Sequence, residues 1–367
     1  MASKVYFTDL QTGNKLSLLD KLEKLFDKAD LAETIAPKDL VAIKLHFGEP
    51  GNLAYIRPQY VRRMVDKIKK LGGKPFLTDG NTLYVGQRAN AVDHLDAAII
   101  NGFDYAVVGA PLVISDGLTG KDYVKVPIDG KHFKEVNIGA AAYHADSMLV
   151  MTHFKCHELT AAGGAIKNVG MGLGSRSGKQ QMHSDVIPKI NEKLCKGCKK
   201  CAKWCPADAI TMKDKKAVIN EKKCWGCGEC AVTCPHGSIA INWRTRPEAV
   251  SEKMAEYTLG AVANKMDKVG YISFVVDVSP QCDCYGFNDI PVAPNLGILA
   301  SRDPVALDQA CIDLVNQAPT VKGCVIEHLA PGEDKFKHVH PGMDWLPQLE
   351  HAEKLGLGSR KYKLIEV

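Results

Sequence analysis

Thirteen cysteines stand in this chain of 367 residues, and eight of them lie between positions 195 and 235 in two runs of identical spacing. The runs are Cys195, Cys198, Cys201 and Cys205 before Pro206, and Cys224, Cys227, Cys230 and Cys234 before Pro235. Each follows C-x2-C-x2-C-x3-C-P, a spacing in which three thiolates bind one 4Fe–4S cubane and the fourth binds its neighbour. The pattern predicts one cluster on Cys195, Cys198, Cys201 and Cys234, and another on Cys224, Cys227, Cys230 and Cys205.

Two other sulfur chemistries compete with the clusters. Zinc also binds paired C-x2-C units, but two matching runs that each end in proline are typical of a bacterial two-cluster ferredoxin. Disulfides belong to oxidising compartments, whereas the N-terminal sequence MASKVYFTDL has no basic-then-apolar signal region, and no apolar run approaches the length of a membrane span. We therefore expect a soluble cytoplasmic protein whose cysteines bind metal.

The charge of the chain is mild but unevenly placed. Hydrophobic residues make up 46% of the chain and the formal net charge is +5, a balance that does not indicate a nucleic-acid partner. Residues 188–243 nevertheless hold eleven lysines against five acidic residues, a local charge of +6. These lysines either balance the negative charge of thiolate-bound clusters or form a docking face for an acidic redox partner of ferredoxin or flavodoxin type.

The cysteine segment interrupts an alternation of strands and helices. The predicted strands are Val41–Phe47, Pro75–Asp79, Tyr105–Gly109, Ser147–Phe154 and Gly270–Val278; helices are predicted near residues 58–71, 87–101 and 247–265, and from Asp303-Pro304 onward. Such alternation is typical of βαβ units and a mainly parallel sheet. We predict a discontinuous α/β host domain of residues 1–187 and 245–367, with an inserted α+β bacterial-ferredoxin-like module at 188–244.

Polar and sulfur-containing side chains follow four of these strands. In chain order the groups are His46, Gly48 and Glu49; Asp79, Gly80, Asn81 and Tyr84; His153, Lys155, Cys156 and His157; and Asp277, Ser279, Cys282, Asp283 and Cys284. Functional groups in open α/β sheets gather at the carboxyl ends of the strands. We therefore expect a site at that edge of the sheet.

Each of these candidates also has an ordinary structural interpretation. A lone histidine such as His46 is often a hydrogen-bonded structural residue, and His153 and His157 would share a helix face only if their turn is helical. Cys282 and Cys284 lie in a loop rich in glycine and proline, where two thiols suit a metal, a flavin contact or a redox dithiol. Cys311 and Cys324 are expected to be ordinary buried thiols.

The glycine-rich stretch Gly163–Lys179 is predicted to be a loop close to a ligand or a cluster. Backbone amides in such a loop can approach an anion, and phosphate is one candidate ligand. The stretch matches neither a Walker A loop nor G-x-G-x-x-G. The candidate cofactor-binding residues are Gly163, Gly164, Asn168, Gly170 and Gly172.

Six peptides together resemble the domain-of-unknown-function family 362, in the form that carries an inserted two-cluster ferredoxin. They are LHFGE (45–49), TDGNTLY (78–84), HFKCHE (153–158), GGAIKNVGMG (163–172), SPQCDC (279–284) and SRDPVALD (301–308). The resemblance implies the insertion topology, and it implies that one site contains His46, His153, His157, Lys167 and the Cys282/Cys284 pair. Cys156 departs from the glycine that the family pattern has at that position.

Three functions are compatible with the sequence. In the first, the chain is an iron–sulfur oxidoreductase of anaerobic chemistry, in which electrons pass through two 4Fe–4S clusters to or from a second centre near Cys282 and Cys284. That centre is a flavin, an additional metal or the dithiol itself, and the nearby histidines and Lys167 orient it or move protons. In the second, the chain is a non-catalytic electron carrier or adaptor on a larger oxidoreductase. In the third, it is a ligand-binding or sensor domain that the clusters stabilise.

Overall fold

The computed structural model describes residues 2–83, 86–183, 188–205, 207–224, 229–240 and 246–367. Tyr84, Pro206 and Cys227, named above, lie outside the described residues, as do positions 187, 244 and 245 at the edges of the predicted insert. The strands are β1 (Ser3–Thr8), β2 (Leu40–Lys44), β3 (Lys74–Asp79), β4 (Leu112–Ile114), β5 (Tyr123–Pro127), β6 (Glu135–Gly139), β7 (Ser147–His153), β8 (Lys155–His157), β9 (Ala161–Gly163), β10 (Lys189–Ile190), β11 (Ile210–Lys213), β12 (Lys216–Ile219), β13 (Ile239–Ala240), β14 (Val269–Val275), β15 (Gly297–Ser301) and β16 (Tyr362–Glu366). The helices are α1 (Leu18–Lys28), α2 (Pro58–Lys70), α3 (Ala91–Ile100), α4 (Tyr105–Val108), α5 (Ala140–His144), α6 (Ala165–Leu173), α7 (Arg176–His183), α8 (Lys200–Lys203), α9 (Glu229–Thr233), α10 (Pro247–Val262), α11 (Pro304–Gln317), α12 (Lys335–Val339) and α13 (Leu346–Lys354), with 3₁₀ turns at Leu31–Thr34 and Met266–Lys268.

An eight-stranded sheet organises the chain, in the order β16-β1-β15-β14-β7-β2-β3-β4. The run from β14 to β4 is parallel throughout, and β15 is antiparallel to both of its neighbours. The predicted α/β class with a mainly parallel sheet is therefore confirmed. Four strands that the sequence predicts to carry functional groups, β14, β7, β2 and β3, are consecutive neighbours, so their carboxyl ends lie side by side.

The sheet is covered on both faces. Strand β7 is buried along its whole length, as its apolar sequence predicts. Met148 and Val150 belong to the hydrophobic core on one face, and Leu149 and Met151 to the core on the other. The side chains of the central strands therefore pack in these two cores, and a ligand-binding site is expected at the carboxyl edge of the sheet.

The longer helices begin where the sequence signals predict. Pro58, Pro247 and Pro304 each stand in the first turn of a helix, where a missing N–H costs nothing. Asp303 caps α11 by accepting hydrogen bonds from two amides of that turn. The helix predicted from residue 87 starts only at Ala91, because Asn90 accepts from the next amides and acts as the N-cap.

The strand predicted at Tyr105–Gly109 is wrong, because Tyr105–Val108 is the short helix α4. The Asp104 carboxylate accepts hydrogen bonds from the amides of Ala106 and Val107, and Gly109 ends the turn with φ of +72°. These local caps outweigh the β propensity of tyrosine and valine.

The segment with the cysteine runs has its own small core. Among the described residues of this segment, β10 pairs with β13 and β11 with β12, all antiparallel, and neither pair joins the large sheet. Buried Cys195, Cys201 and Cys230 pack there with Ile210 and Ile239. That this unit is ferredoxin-like stays a prediction. Over the described ranges, no helix is long and apolar enough to cross a membrane.

Candidate functional site

The carboxyl ends of β2, β3, β7 and β14 open into a cavity of about 590 Å³. The six residues that the sequence nominated as catalytic all line it: His46, His153, His157, Lys167, Cys282 and Cys284. Four of the five candidate cofactor-binding residues do so as well, namely Gly163, Gly164, Asn168 and Gly172. The structure thus brings together residues that follow four strands and residues of helix α6.

Cys282 and Cys284 form a close pair of thiols at this cavity. Their Sγ atoms are 2.9 Å apart, and the Lys167 ammonium lies 3.1 Å from Cys282 Sγ. The hydrogen bond from the Cys284 thiol, helped by Lys167 and opposed by burial, holds the pKa of Cys282 well below its ordinary value. Burial alone would lower the pKa of Lys167, but the two sulfurs raise it above its usual range. These contacts favour negative charge on Cys282, with the Lys167 ammonium as its counter-ion, and the proton of the pair on Cys284.

Each sulfur also has its own histidine. His46 Nδ1 accepts a hydrogen bond from the Gly48 amide, so the proton of the neutral ring is on Nε2, which lies 3.7 Å from Cys284 Sγ. Burial lowers the pKa of His46 well below its usual value, so the ring is neutral. His157 lies beside the other sulfur: its Nδ1 is 3.3 Å from the Leu159 amide nitrogen and 3.0 Å from Thr160 Oγ1, and the ring is hydrogen bonded to Cys282. Each sulfur thus has an imidazole ring next to it.

Asp283, between the two cysteines, anchors their loop. Its carboxylate is fully buried, accepts a hydrogen bond from His153 Nδ1 at 2.9 Å and lies 3.1 Å from Lys155 Nζ. His153 Nε2 is 3.0 Å from the carbonyl oxygen of Val276, so both ring nitrogens are occupied. His153 lines the cavity and also holds the Asp283 carboxylate in place, and its predicted catalytic role stays a prediction. The helical turn considered for His153 and His157 is wrong, because β7 and β8 hold them.

The glycine-rich stretch is helical, not a loop: residues Ala165–Leu173 form α6 and residues Arg176–His183 form α7. Its glycines serve close packing. A Cβ on Gly170 would lie 2.1 Å from the Met254 carbonyl oxygen, so Gly170 lets α6 approach α10 and does not line the cavity. Asp308 approaches Gly164 in the same way, where a Cβ would lie 2.2 Å from its carboxylate.

The Asp308 carboxylate occupies the N-terminus of α6, where a phosphate group could otherwise bind. It accepts hydrogen bonds from the Ala165 and Ile166 amides, at 2.7 Å and 3.0 Å. The N-terminus of α6 is therefore already capped by a side chain of this chain. Burial raises the pKa of Asp308 to about 7.

A buried ionic network that the sequence did not predict lines the other side of the cavity. Lys44 Nζ is 3.1 Å from Asp79, and donates to Asn168 Oδ1 at 2.7 Å. Arg88 pairs with Glu49 at 2.8 Å. Burial lowers the pKa of Lys44 to about 8. Asp79 and Glu49 stand at predicted strand ends, and a lysine inside the apolar strand VAIK is the signal that could have found Lys44.

Three other cysteines lie away from the thiol pair. Cys156, Cys311 and Cys324 are buried in the large core on one face of the sheet, and burial raises the pKa of Cys156 far above its usual value. For Cys311 and Cys324 this matches the expectation. Cys156 packs in this core and is not among the residues that line the cavity.

In the cysteine segment, the four cysteines predicted for one cluster line a single small cavity. They are Cys195, Cys198, Cys201 and Cys234, and Gly197 lies among them. Gly197 has φ of +67°, and a Cβ there would lie 2.3 Å from the Lys215 carbonyl oxygen, so the loop between these cysteines requires glycine. The Ala217 amide donates to Cys195 Sγ at 3.5 Å. Cysteines around one pocket, with a backbone amide directed at sulfur, are compatible with a cubane.

The second predicted set is described for three of its four members, Cys205, Cys224 and Cys230. The Ala209 amide donates to Cys205 Sγ at 3.2 Å. All seven described cysteines of the two runs are free thiols. Within the described ranges, no group of three or more His, Cys, Asp or Glu side chains is arranged to hold a metal ion. A single ion draws its donors to one point, whereas a cubane takes each thiolate at a separate corner.

Comparisons with known proteins give the family and a distant structural likeness. The model of the family described as Domain of unknown function (DUF362) matches residues 41–313. A sequence comparison with curated proteins gave no match. Among solved structures, the lactate racemase apoprotein from Thermoanaerobacterium thermosaccharolyticum is similar, with 12% sequence identity, a TM-score of 0.43 and coverage of 86% of this chain. The chain spans 58% of that protein's length.

Proposed function

The chain belongs to the DUF362 family, and from its site we propose that it is an iron–sulfur oxidoreductase. Two 4Fe–4S clusters on the cysteine runs exchange electrons with the Cys282–Cys284 dithiol, which acts on a small molecule in the 590 Å³ cavity. Among the three second centres considered, the dithiol is favoured over a flavin or an additional metal. The single observation that carries this choice is the 2.9 Å separation of the two sulfurs beside the Lys167 ammonium.

The residues that would hold the clusters are the eight cysteines of the two runs. When bound, such clusters supply one-electron transfer at low potential. The convergence of Cys195, Cys198, Cys201 and Cys234 on one cavity supports the first set. For the second set, Cys227 lies outside the described residues, and its inclusion rests on the sequence pattern.

The proposed reaction of the dithiol is the two-electron reduction of a Cys282–Cys284 disulfide and its reversal. A Cys282–Cys284 disulfide that takes up two electrons breaks its S–S bond and yields two thiolates. Lys167 stabilises the charge on Cys282, and His46 Nε2–H, 3.7 Å from Cys284 Sγ, stabilises the second thiolate until Cys284 takes up a proton from solvent. In the reverse direction the pair delivers two electrons to the bound molecule and closes the disulfide again.

The contacts also explain why the two thiols are not equivalent. Cys282 is buried against Lys167 and His157, and its pKa is lowered, whereas the pKa of Cys284 is raised by its hydrogen bond to Cys282 and by burial. A thiolate is the nucleophile in thiol chemistry. In the reduced pair of this proposal, Cys282 is therefore the sulfur that carries the negative charge, and Cys284 the sulfur that carries the proton.

Potential-dependent alkylation of the full chain tests the proposal. Protein purified without oxygen is equilibrated at a series of potentials and then alkylated with iodoacetamide. After digestion, the mass of the peptide that contains Cys282 and Cys284 is measured by mass spectrometry. We expect a two-electron transition between a disulfide and a doubly alkylated form, in protein that contains about eight iron and eight sulfide per chain. Buried Cys311 serves as the internal control and should not change. Two free thiols at every potential, or a flavin or ion bound in the cavity, would contradict the dithiol.

A further inference from the structure

The cysteine segment has one edge that faces solvent and is densely positive. Cys198 is exposed, unlike buried Cys195 and Cys201 of the same predicted set. Five exposed lysines surround it in sequence: Lys193, Lys196, Lys199, Lys200 and Lys203. Between residues 192 and 204 the only acidic residue is Glu192, so this edge carries a charge of +4.

The other edge of the segment faces the host domain. Helix α9, which carries buried Cys230 of the second set, packs against α7. Helix α7 also borders the catalytic cavity, through Lys179 and His183. A second link is Trp204, next to Cys205, whose ring centroid lies 3.4 Å from Lys121 Nζ of the host domain. Cys205 and Cys230 of the second predicted set are thus carried by parts of the segment that contact the host domain.

We propose that the lysine edge around Cys198 is the docking surface for an acidic one-electron carrier protein. Electrons then enter at the set of Cys195, Cys198, Cys201 and Cys234, and leave toward the cavity at the set that includes Cys230. This inference rests on the proposed function, since it assumes clusters at both sets. Two docking events supply the two electrons that one Cys282–Cys284 disulfide takes up.

Charge complementarity selects this partner. A cluster exchanges electrons with an external protein only where it comes close to the surface, and Cys198 is the exposed ligand. The lysines there create a positive potential that raises the rate of encounter with a negatively charged protein by about 10- to 1,000-fold. Because such charges are exposed, salt screens them over a Debye length of about 10 Å at 0.1 M.

Rapid mixing under anaerobic conditions tests the docking surface. The full iron-loaded chain is mixed with a chemically reduced acidic ferredoxin, and cluster reduction is followed by absorbance at several salt concentrations. The test variant is the triple substitution Lys196→Glu, Lys199→Glu, Lys200→Glu. The control is Lys15→Glu, Lys24→Glu, Lys28→Glu, which changes the net charge equally at exposed sites of the host domain.

We expect the test variant to lose at least about 10-fold in second-order rate at low salt, with the difference shrinking at high salt, while the control keeps the rate. Equal rates in all three proteins, or an equal loss in both variants, would overturn the docking surface. If the triple glutamate variant loads less iron, lysine-to-glutamine substitutions at the same positions replace it. Absence of the clusters is detected separately by the iron content, and absence of a redox-active dithiol by the alkylation assay.

Discussion

Replacing Lys167 by methionine is the sharpest perturbation of the thiol pair. Methionine is close to lysine in shape but removes the ammonium that lies 3.1 Å from Cys282 Sγ. A positive charge favours the thiolate, so its loss raises the pKa of Cys282. Hydrogen bonds to charged groups contribute about 1.5–3 kcal/mol, and one pKa unit corresponds to about 1.4 kcal/mol. We therefore expect the pKa of Cys282 to rise by about one to two units.

The assay is the pH dependence of Cys282 alkylation by iodoacetamide, read by mass spectrometry on reduced protein. Only the thiolate reacts, so in the unsubstituted chain the rate should already be at its plateau at neutral pH, because the pKa of Cys282 lies well below its ordinary value. In Lys167→Met the rate at neutral pH should fall and recover as the pH rises. Lys167→Arg keeps the charge and should remain close to the unsubstituted chain.

A pH profile that does not move in Lys167→Met would refute this account of the thiol pair. A loss of reactivity that high pH does not restore would do the same, because it indicates a collapsed site and not a missing charge. Thermal unfolding of each variant, measured in parallel, separates these two cases.

Three further outcomes follow from the packing and the ion pairs. Gly170→Ala places a Cβ 2.1 Å from the Met254 carbonyl oxygen and should lower the free energy of unfolding by about 1–3 kcal/mol in denaturant titrations, whereas Gly13→Ala, with no atom within 4 Å, should leave it nearly unchanged. Asp283→Asn leaves Lys155 without its buried carboxylate and should cost about 3 kcal/mol, while exposed Asp129→Asn should not shift the unfolding midpoint. His46→Phe removes the Nε2 donor beside Cys284, so cluster-driven reduction of the disulfide should slow with unchanged iron content, whereas His46→Gln keeps a donor and should slow less; an unaltered rate in His46→Phe would show that His46 does not stabilise this sulfur.

Much of the site could be predicted because its residues follow strands. The strand ends at His46, Asp79 and His153 are visible from apolar runs that stop at a polar residue, and parallel topology brings such ends together. The pairing of Lys167 with Cys282 joins residues 115 positions apart. Their membership in one site was expected from family resemblance, but neither composition nor spacing could supply the distance.

The parts that sequence reasoning missed depend on long-range contacts. The glycines from Gly163 onward indicate a loop by composition. In the structure, residues Ala165–Leu173 form helix α6, which packs closely against α10 and is capped by Asp308. Asp308 caps α6 from 143 residues away, which no local pattern reports. The tautomer of His46 is set by the Gly48 backbone amide, so it becomes visible only with coordinates.

In the proposed function, electrons pass between the clusters and the dithiol, and a single-turnover experiment measures that transfer. Protein with reduced clusters and an oxidised Cys282–Cys284 pair is prepared by brief photoreduction, and the visible absorbance of the clusters is followed anaerobically without any added acceptor. We expect the clusters to reoxidise by two electrons per chain as two thiols appear, and to stay reduced in Cys282→Ser, Cys284→Ser protein. Clusters that remain reduced in the unsubstituted chain, or that reoxidise equally in the serine variant, would show that no electrons pass between the clusters and the dithiol.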